Sequence, residues 1–128
     1  MKHFICRGCG NLVATVEFTG RPLSCCAGEL EEIVPDSVDA SREKHAPVLS
    51  FEEGTVRVTV GKEGNFHPMS SEHSVRWVCL VTDKGSQRKR LSPEGRAEVT
   101  FRIDPDERVL KAFAYCNLHG LWVTAVEQ

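Results

Sequence analysis

The sequence lacks any hydrophobic run that approaches the roughly 20 apolar residues needed to cross a bilayer. Residues 1–9 also lack the apolar core of a secretory signal, so we expect a protein that stays in the reducing cytoplasm. Cysteines in that compartment are more often metal ligands than partners in disulfides. These two absences therefore favour metal binding as the role of the cysteines.

A strong net charge is absent as well. The 128 residues carry a formal charge of −2 at pH 7, which gives no electrostatic footprint for nucleic acid. The basic run Arg88-Lys89-Arg90 is interpreted as the solvated face of a strand. The sequence has no internal repeat and no segment with a clear helical period. We expect a protein that binds neither nucleic acid nor membranes.

What the sequence does contain is the alternation of apolar and polar residues that is typical of β-strands. This pattern is found at residues 55–60 and 98–103. Residues 74–82 have apolar side chains on both faces, so we expect a strand that is covered on both sides, and residues 121–126 are rich in β-branched side chains. Turn-forming residues lie between these segments, at 83–85, 92–95 and 104–106. Short strands at this spacing predict an all-β fold with an antiparallel β-sandwich.

The cysteines divide the chain unevenly. Four of the six lie in the first 26 residues: Cys6, Cys9, Cys25 and Cys26. The charged residues 29–42 are interpreted as a linker. We predict a small metal-binding module at residues 1–34 and a sandwich domain at residues 35–128. Cys79, on the apolar face of a predicted strand, is interpreted as a small buried hydrophobic residue.

The N-terminal cysteines have the spacing of a metal site. The C-x2-C pair lets Cys6 and Cys9 converge on one ion, and the adjacent Cys25 and Cys26 should distort the site away from an ideal tetrahedron. Soft thiolates in a tetrahedral set suit iron or zinc, and the spacing does not choose between them. A structural zinc knuckle is one alternative, and two disulfides are another that a reducing compartment disfavours.

A second set of donors is distributed over the rest of the chain: His45, His67, His73, Cys116 and His119. His67 and His73 flank a turn that begins at Pro68, and Cys116 and His119 lie where a predicted strand gives way to a turn. Structural zinc normally takes four ligands, whereas four nitrogens and one sulfur leave one octahedral position open. The set indicates a redox enzyme with a mononuclear metal, for which iron is the best fit.

These motifs resemble those of desulfoferrodoxins, the two-iron superoxide reductases, over nearly the whole chain. The N-terminal cysteines resemble the desulforedoxin-type iron module. Residues 43–47 (EKHAP), 67–73 (HPMSSEH) and 116–120 (CNLHG) resemble the catalytic-domain motifs in order and spacing. The departures, Ala46, Ser70, Ser71 and Ser74, remove no ligand.

The resemblance implies two irons per chain. One would lie in the four-cysteine site, where zinc is a possible substitute. The other would be Fe(II) with an axial thiolate from Cys116 and four imidazole ligands, His45, His67, His73 and His119. The resemblance also implies a desulforedoxin-like module, an immunoglobulin-like sandwich and a homodimer.

The expected activity is superoxide reduction: superoxide, one electron and two protons give hydrogen peroxide, and no oxygen is released. A rubredoxin-like carrier is expected to supply the electron, and the four-cysteine iron is expected to be an accessory centre. Lys44 should attract superoxide and help to deliver protons, while Glu43 should occupy the sixth position of the oxidised iron. The alternatives are a non-catalytic electron carrier or redox-sensing iron or zinc protein, and a dismutase.

Overall fold

The computed structural model describes residues 1–38 and 40–127, and nearly all of its regular structure is antiparallel β-sheet. The chain forms two units, Met1–Val34 and Pro35–Gln128. The first unit contains five short strands: β1 (His3–Ile5), β2 (Leu12–Ala14), β3 (Ser24–Cys25), β4 (Gly28–Glu29) and β5 (Glu31–Ile33). The sheet order is β2-β1-β5, and β3 and β4 form a separate hairpin.

Strand β5 corrects one prediction, because it lies inside the segment interpreted as a linker. Glu31–Ile33 pairs antiparallel with β1, with Phe4 opposite Glu32. A three-residue edge strand with two exposed glutamates is too short to show an alternating pattern. The linker prediction is therefore wrong for this part of the segment.

In its described residues, 35–38 and 40–127, the second unit contains one helical turn and eight strands: α1 (Arg42–His45), β6 (Pro47–Glu52), β7 (Thr55–Lys62), β8 (Asn65–Phe66), β9 (Val75–Thr82), β10 (Ser86–Arg90), β11 (Glu98–Arg102), β12 (Val109–Cys116) and β13 (Gly120–Ala125). One sheet has the order β10-β9-β12-β13, and the other has the order β11-β7-β6 with β8 paired to β7. In the described part of the chain, no helix is long and apolar enough to span a membrane.

The core of this unit is formed by apolar side chains from both sheets. Val56, Val58 and Val60 of β7 are at most 1% exposed, and they cluster with Leu80 of β9 and Ala114 of β12. Burying each such valine or leucine contributes about 1.5–3 kcal/mol relative to exposure. The antiparallel all-β prediction is confirmed, and the four predicted strands agree with β7, β9, β11 and β13 to within two residues.

Strand β9 is buried on both faces. Val78 and Leu80 point into the main core, while Trp77 and Cys79 on the opposite face are also buried. Cys79 is 1% exposed, as expected for a small hydrophobic residue, and burial raises the pKa of its thiol. The basic run Arg88–Arg90 lies on β10 with its side chains exposed, as predicted.

Candidate metal centres

The five predicted ligands of the second unit converge at neighbouring strand ends. His45 ends α1, His67 follows β8, His73 precedes β9, Cys116 ends β12 and His119 precedes β13. One donor atom from each of these residues lies within 4.8 Å of the others. We call these five residues the histidine–cysteine cluster. Because β12 pairs with both β9 and β13 at Cys116, the sheet register itself brings three of the segments together.

The four imidazoles form a closed ring. His45 contacts His67, His67 contacts His73, His73 contacts His119, and His119 contacts His45. The ring centroids are 4.7–5.2 Å apart, and successive rings cross at 72–81°. The Sγ of Cys116 lies 3.9 Å from the Nδ1 of His119. This arrangement suits four nitrogens around one ion with a sulfur as the fifth donor.

Backbone carbonyls fix the protonation of two rings. Nδ1 of His45 lies 2.6 Å from the Ser41 carbonyl oxygen, and Nδ1 of His67 lies 2.7 Å from that of Pro68. A carbonyl only accepts hydrogen bonds, so in the neutral rings the proton is on Nδ1 and the lone pair on Nε2. This is the outer hydrogen bond that orients a metal-bound histidine.

The inner nitrogen atoms are short of partners. Nε2 of His67 and Nε2 of His73 are buried and have no hydrogen-bond partner among the described residues. A buried polar atom without a partner costs about 1–3 kcal/mol, and such atoms in native proteins often mark an absent ion or water. Nε2 of His45 also approaches Nδ1 of His119 to 2.9 Å. A cation at the centre would satisfy all four nitrogens, so the residues fit a metal ion.

Burial favours the neutral form of two of the rings. Burial lowers the pKa of His67 to about 4 and also lowers the pKa of His45. Neutral imidazole is the form that binds metals. Trp122 supports two of the rings, because its indole stacks on His45 at 5.0 Å and its Nε1 donates to the His119 carbonyl oxygen.

The position of His67 depends on the glycine at position 61. Gly61 has a φ of +87°, and a Cβ there would lie 2.7 Å from the Asn65 carbonyl oxygen and 2.8 Å from the His67 nitrogen. The His67 N–H donates to the Val60 carbonyl oxygen at 2.8 Å. Only glycine allows this close approach, by which the β7–β8 hairpin folds back and places His67.

The two residues predicted to act on the substrate, Glu43 and Lys44, precede His45 in the sequence but do not belong to the histidine–cysteine cluster. Lys44 and Glu43 are both exposed on α1. The Glu43 Oε1 atom lies 2.8 Å from the Lys62 Nζ atom, and this neighbouring cation lowers the pKa of the Glu43 carboxyl. The structure therefore shows Glu43 in an ion pair.

The four N-terminal cysteines also meet. Their sulfur atoms lie within 4.8 Å of one another, and the Sγ atoms of Cys9 and Cys25 are 3.6 Å apart. All four are free thiols, so neither predicted disulfide of the alternative interpretation is present. We call this group the four-cysteine cluster. Cys6 is buried, Cys25 is intermediate, and Cys9 and Cys26 are exposed.

Local backbone geometry places these sulfur atoms. Cys26 and Ala27 adopt left-handed φ values of 51° and 60° between β3 and β4, which is the conformation of a two-residue hairpin turn. Turning the backbone at Cys26 lets two adjacent cysteines face one point. Gly8 leaves room beside them, since a Cβ there would lie 3.3 Å from that of Cys26.

The thiols of this cluster perturb one another. The backbone N–H of Cys9 lowers the pKa of the Cys6 thiol to about 7, whereas thiol contacts, first with Cys9, raise the pKa of Cys26 to about 12. Four thiolates cannot lie this close without a counter-charge. A metal ion supplies that charge and displaces the protons, so this donor set also fits a metal.

Several residues that shape these sites were missed from the sequence. Gly61, Lys62 and Trp122 act through contacts that no local pattern reveals. Asn11, whose amide reaches a sulfur of the four-cysteine cluster, follows the C-x2-C pair by two positions. An asparagine two positions after a C-x2-C pair is a sequence feature from which a hydrogen bond to this cluster could have been predicted.

A family model described as desulfoferrodoxin matches residues 37–125. The desulfoferrodoxin of Nitratidesulfovibrio vulgaris is 37% identical over 91% of this chain and 90% of its own length. The chain belongs to the desulfoferrodoxin family. The resemblance predicted from the motifs is thereby confirmed.

Two further proteins are similar to the chain in sequence or in structure. The superoxide reductase of Pyrococcus horikoshii is 38% identical over 71% of this chain and 92% of its own length. The crystal structure of the superoxide reductase from Treponema pallidum has a TM-score of 0.80 and 38% identity, and the match covers 97% of this chain and 98% of that one. The four-cysteine cluster and the histidine–cysteine cluster match the two iron centres of the family, so the prediction of iron as the cofactor is confirmed.

Proposed function

We propose that this protein is a superoxide reductase that acts in superoxide detoxification. The observation that carries the proposal is the closed ring of four imidazoles with the thiol of Cys116 beside it. The names of the relatives from Pyrococcus horikoshii and Treponema pallidum support the same activity. The reaction combines superoxide, one electron and two protons to give hydrogen peroxide.

The donor atoms can be assigned one by one. Nε2 of His45, Nε2 of His67 and Nε2 of His73 would hold the iron, together with two donors from the CNLHG turn, Nδ1 of His119 and Sγ of Cys116. When bound, Fe(II) supplies the electron that reduces superoxide. The carbonyls of Ser41 and Pro68 hold two of the rings in the ligating tautomer.

Lys44 is proposed to guide the substrate. Lys44 is exposed. It lies between Glu43 and the ligand His45 on the single helical turn of α1. A cation at the mouth of a site raises the encounter rate of a small anion such as superoxide. The same ammonium can donate a proton to the product, directly or through one water.

Glu43 is proposed to move between two positions. In the structure its carboxylate pairs with Lys62, and both side chains are more than 60% exposed. An exposed ion pair contributes only about 0.2–1 kcal/mol, so releasing Glu43 costs little. Once the iron is oxidised, the carboxylate would leave Lys62 and take the open position.

The module at residues 1–34 is proposed to be a desulforedoxin-like electron-transfer centre, with residues 35–128 as the catalytic domain. Its iron would be held by Cys6, Cys9, Cys25 and Cys26. Two of these sulfur-bearing residues are exposed, which favours electron exchange with an external carrier. We further propose a rubredoxin-like donor, a homodimer and a cytoplasmic location.

The decisive experiment combines metal analysis with visible spectra of the isolated, ferricyanide-oxidised and superoxide-treated protein. We expect about two irons per chain and a new thiolate-to-iron band that appears as superoxide is consumed. An oxygen electrode should record no release, which separates reduction from dismutation. Zinc alone, with no band and no consumption of superoxide, would contradict the proposal and favour a structural or regulatory protein.

A further inference from the structure

Asn11 links the two halves of the four-cysteine cluster. Its backbone carbonyl oxygen accepts a hydrogen bond of 2.9 Å from the N–H of Cys6, which fixes the residue to the C-x2-C turn. Its side-chain Nδ2 donates to the Sγ of Cys25 at 3.5 Å, which lies on the β3–β4 hairpin. One residue therefore contacts both cysteine pairs.

The acceptor is a sulfur that other sulfur atoms crowd. The Sγ of Cys25 lies 3.6 Å from the Sγ of Cys9 and 4.0 Å from the Sγ of Cys26. An N–H that donates to the Cys25 thiolate offsets part of the negative charge that the neighbouring thiolates concentrate around it. The same contact would continue to act when all four sulfur atoms bind one metal.

We infer that Asn11 is a positioning residue of the four-cysteine centre, and that its amide N–H tunes the bound iron through the Cys25 sulfur. The inference rests on the proposed iron occupancy of this cluster. Reduction adds one electron from an external carrier and breaks no bond, so the charge of an iron with four thiolates goes from −1 to −2. A donor N–H stabilises the more negative state, and hydrogen bonds to cluster sulfur atoms raise reduction potentials in this way.

The test compares the iron-loaded full chain with Asn11→Leu, which keeps a similar volume but has no N–H. Thr15→Val is the matched control. It removes a hydroxyl directly after β2 whose hydrogen-bond partner is the backbone of Lys2 and not a cysteine, since the Lys2 N–H donates to it at 3.0 Å. Redox titration is followed at the thiolate-to-iron band of the four-cysteine centre. We expect Asn11→Leu to shift the reduction equilibrium about tenfold toward the oxidised state, about 59 mV for a one-electron couple.

The band itself gives an independent readout. Loss of the hydrogen bond raises the energy of the sulfur lone pairs, so the charge-transfer band of Asn11→Leu should move to longer wavelength. Asn11→Asp, which replaces the donor by a carboxylate, should lower the potential further. The inference is overturned if Asn11→Leu matches the unmodified chain, or if Thr15→Val shifts the potential and band equally.

A second measurement avoids the need for the variant to load iron. In the unmodified chain loaded with cadmium-113 and labelled with nitrogen-15, a scalar coupling between the metal and the Asn11 amide protons should be transmitted through Cys25. Its absence would overturn the inference. If the unmodified chain instead bound cadmium but never showed the iron band, the proposed iron module would be wrong, and the coupling would still decide the role of Asn11.

Discussion

The two metal centres are built in different ways, although in each centre the donor atoms lie within 4.8 Å of one another. The four-cysteine cluster lies in a unit that ends at Val34, and of its ligands only Cys6 is buried. In the histidine–cysteine cluster, His45, His67 and Cys116 are all at most 5% exposed. One centre lies at the surface of a very small unit, and the other lies at the edge of a packed sandwich.

The difference lies in what holds the ligands in place. In the four-cysteine cluster, two tight turns position the sulfur atoms, and the unit is smaller than the roughly 40 residues below which domains usually need a metal or disulfide. In the histidine–cysteine cluster, His45 and His119 approach to 2.9 Å across 74 residues of sequence. Long-range strand pairing forms that site, so its donors can converge before any metal arrives.

Ligand variants should separate the two centres most clearly. His67→Ala removes one imidazole of the ring, and we expect superoxide reduction to fall more than about 100-fold while the four-cysteine band is unchanged, because loss of a ligand costs more than loss of an outer partner. Cys9→Ser should do the reverse and remove that band. Pulse radiolysis and visible spectra measure the two effects. Full activity in His67→Ala would show that the ring is not the active site.

Metal removal should affect the two units unequally. After chelation, residues 1–34 should lose nearly all amide protection, because binding free energy replaces the core that this unit lacks. Residues 35–128 should keep protection in β7, β9 and β12, whose side chains form the apolar core. Hydrogen exchange read by mass spectrometry compares them directly. Equal loss in both units would show that the sandwich also depends on its metal.

Gly61 tests how strictly backbone packing positions a histidine. Gly61→Ala should lower the free energy of unfolding by about 3 kcal/mol, because the new Cβ meets three backbone atoms of the β8 segment at under 3.0 Å and φ is positive. Gly64→Ala is the matched control in the same hairpin: φ is +82° but the space is open, so about 1 kcal/mol is expected. Urea unfolding measures both. Equal losses would mean that the close approach near His67 is unimportant.

Acid should weaken the metal-free sandwich. Burial lowers the pKa of His67 to about 4 in the folded state, against about 6.5 when unfolded, so the unfolded chain binds more protons between these values. Stability is therefore full above about pH 6.5 and declines as the pH falls toward 4, by about 3 kcal/mol. Unfolding of chelated protein, followed by the fluorescence of Trp77 and Trp122, measures this slope. His67→Gln should flatten it, and an unchanged slope in that variant would exclude His67 as its origin.

The smallest effect should come from the ion pair that holds Glu43. Lys62→Met frees the carboxylate, so the fraction of the oxidised site that carries Glu43 should rise by up to about fivefold, the equivalent of about 1 kcal/mol. Lys84→Met is the control, since it removes an exposed ion pair with Asp106. The band of the oxidised centre after superoxide treatment reports the fraction. The same result in both variants would exclude a specific role for Lys62.

Local patterns were enough to predict the ligands and much of the sandwich. Alternation depends only on a strand having one buried face, so β7 and β11 could be predicted from their own residues. Strands β6 and β12 were not predicted. In β12 the apolar run from Val109 to Cys116 has buried residues at successive positions, which removes the period of two. The spacing of the cysteine and histidine motifs, together with the family resemblance, gave both donor sets.

The remaining features depend on which segments become neighbours. The sequence by itself determined the types of the nine donors, since the chemistry of thiols and imidazoles belongs to the residues. Only the tertiary structure decided that four imidazoles follow one another in a ring, that Lys62 holds Glu43 and that Asn11 reaches Cys25. The reason is that sheet register and turn geometry set distances between residues far apart in the chain, and no single segment contains that information.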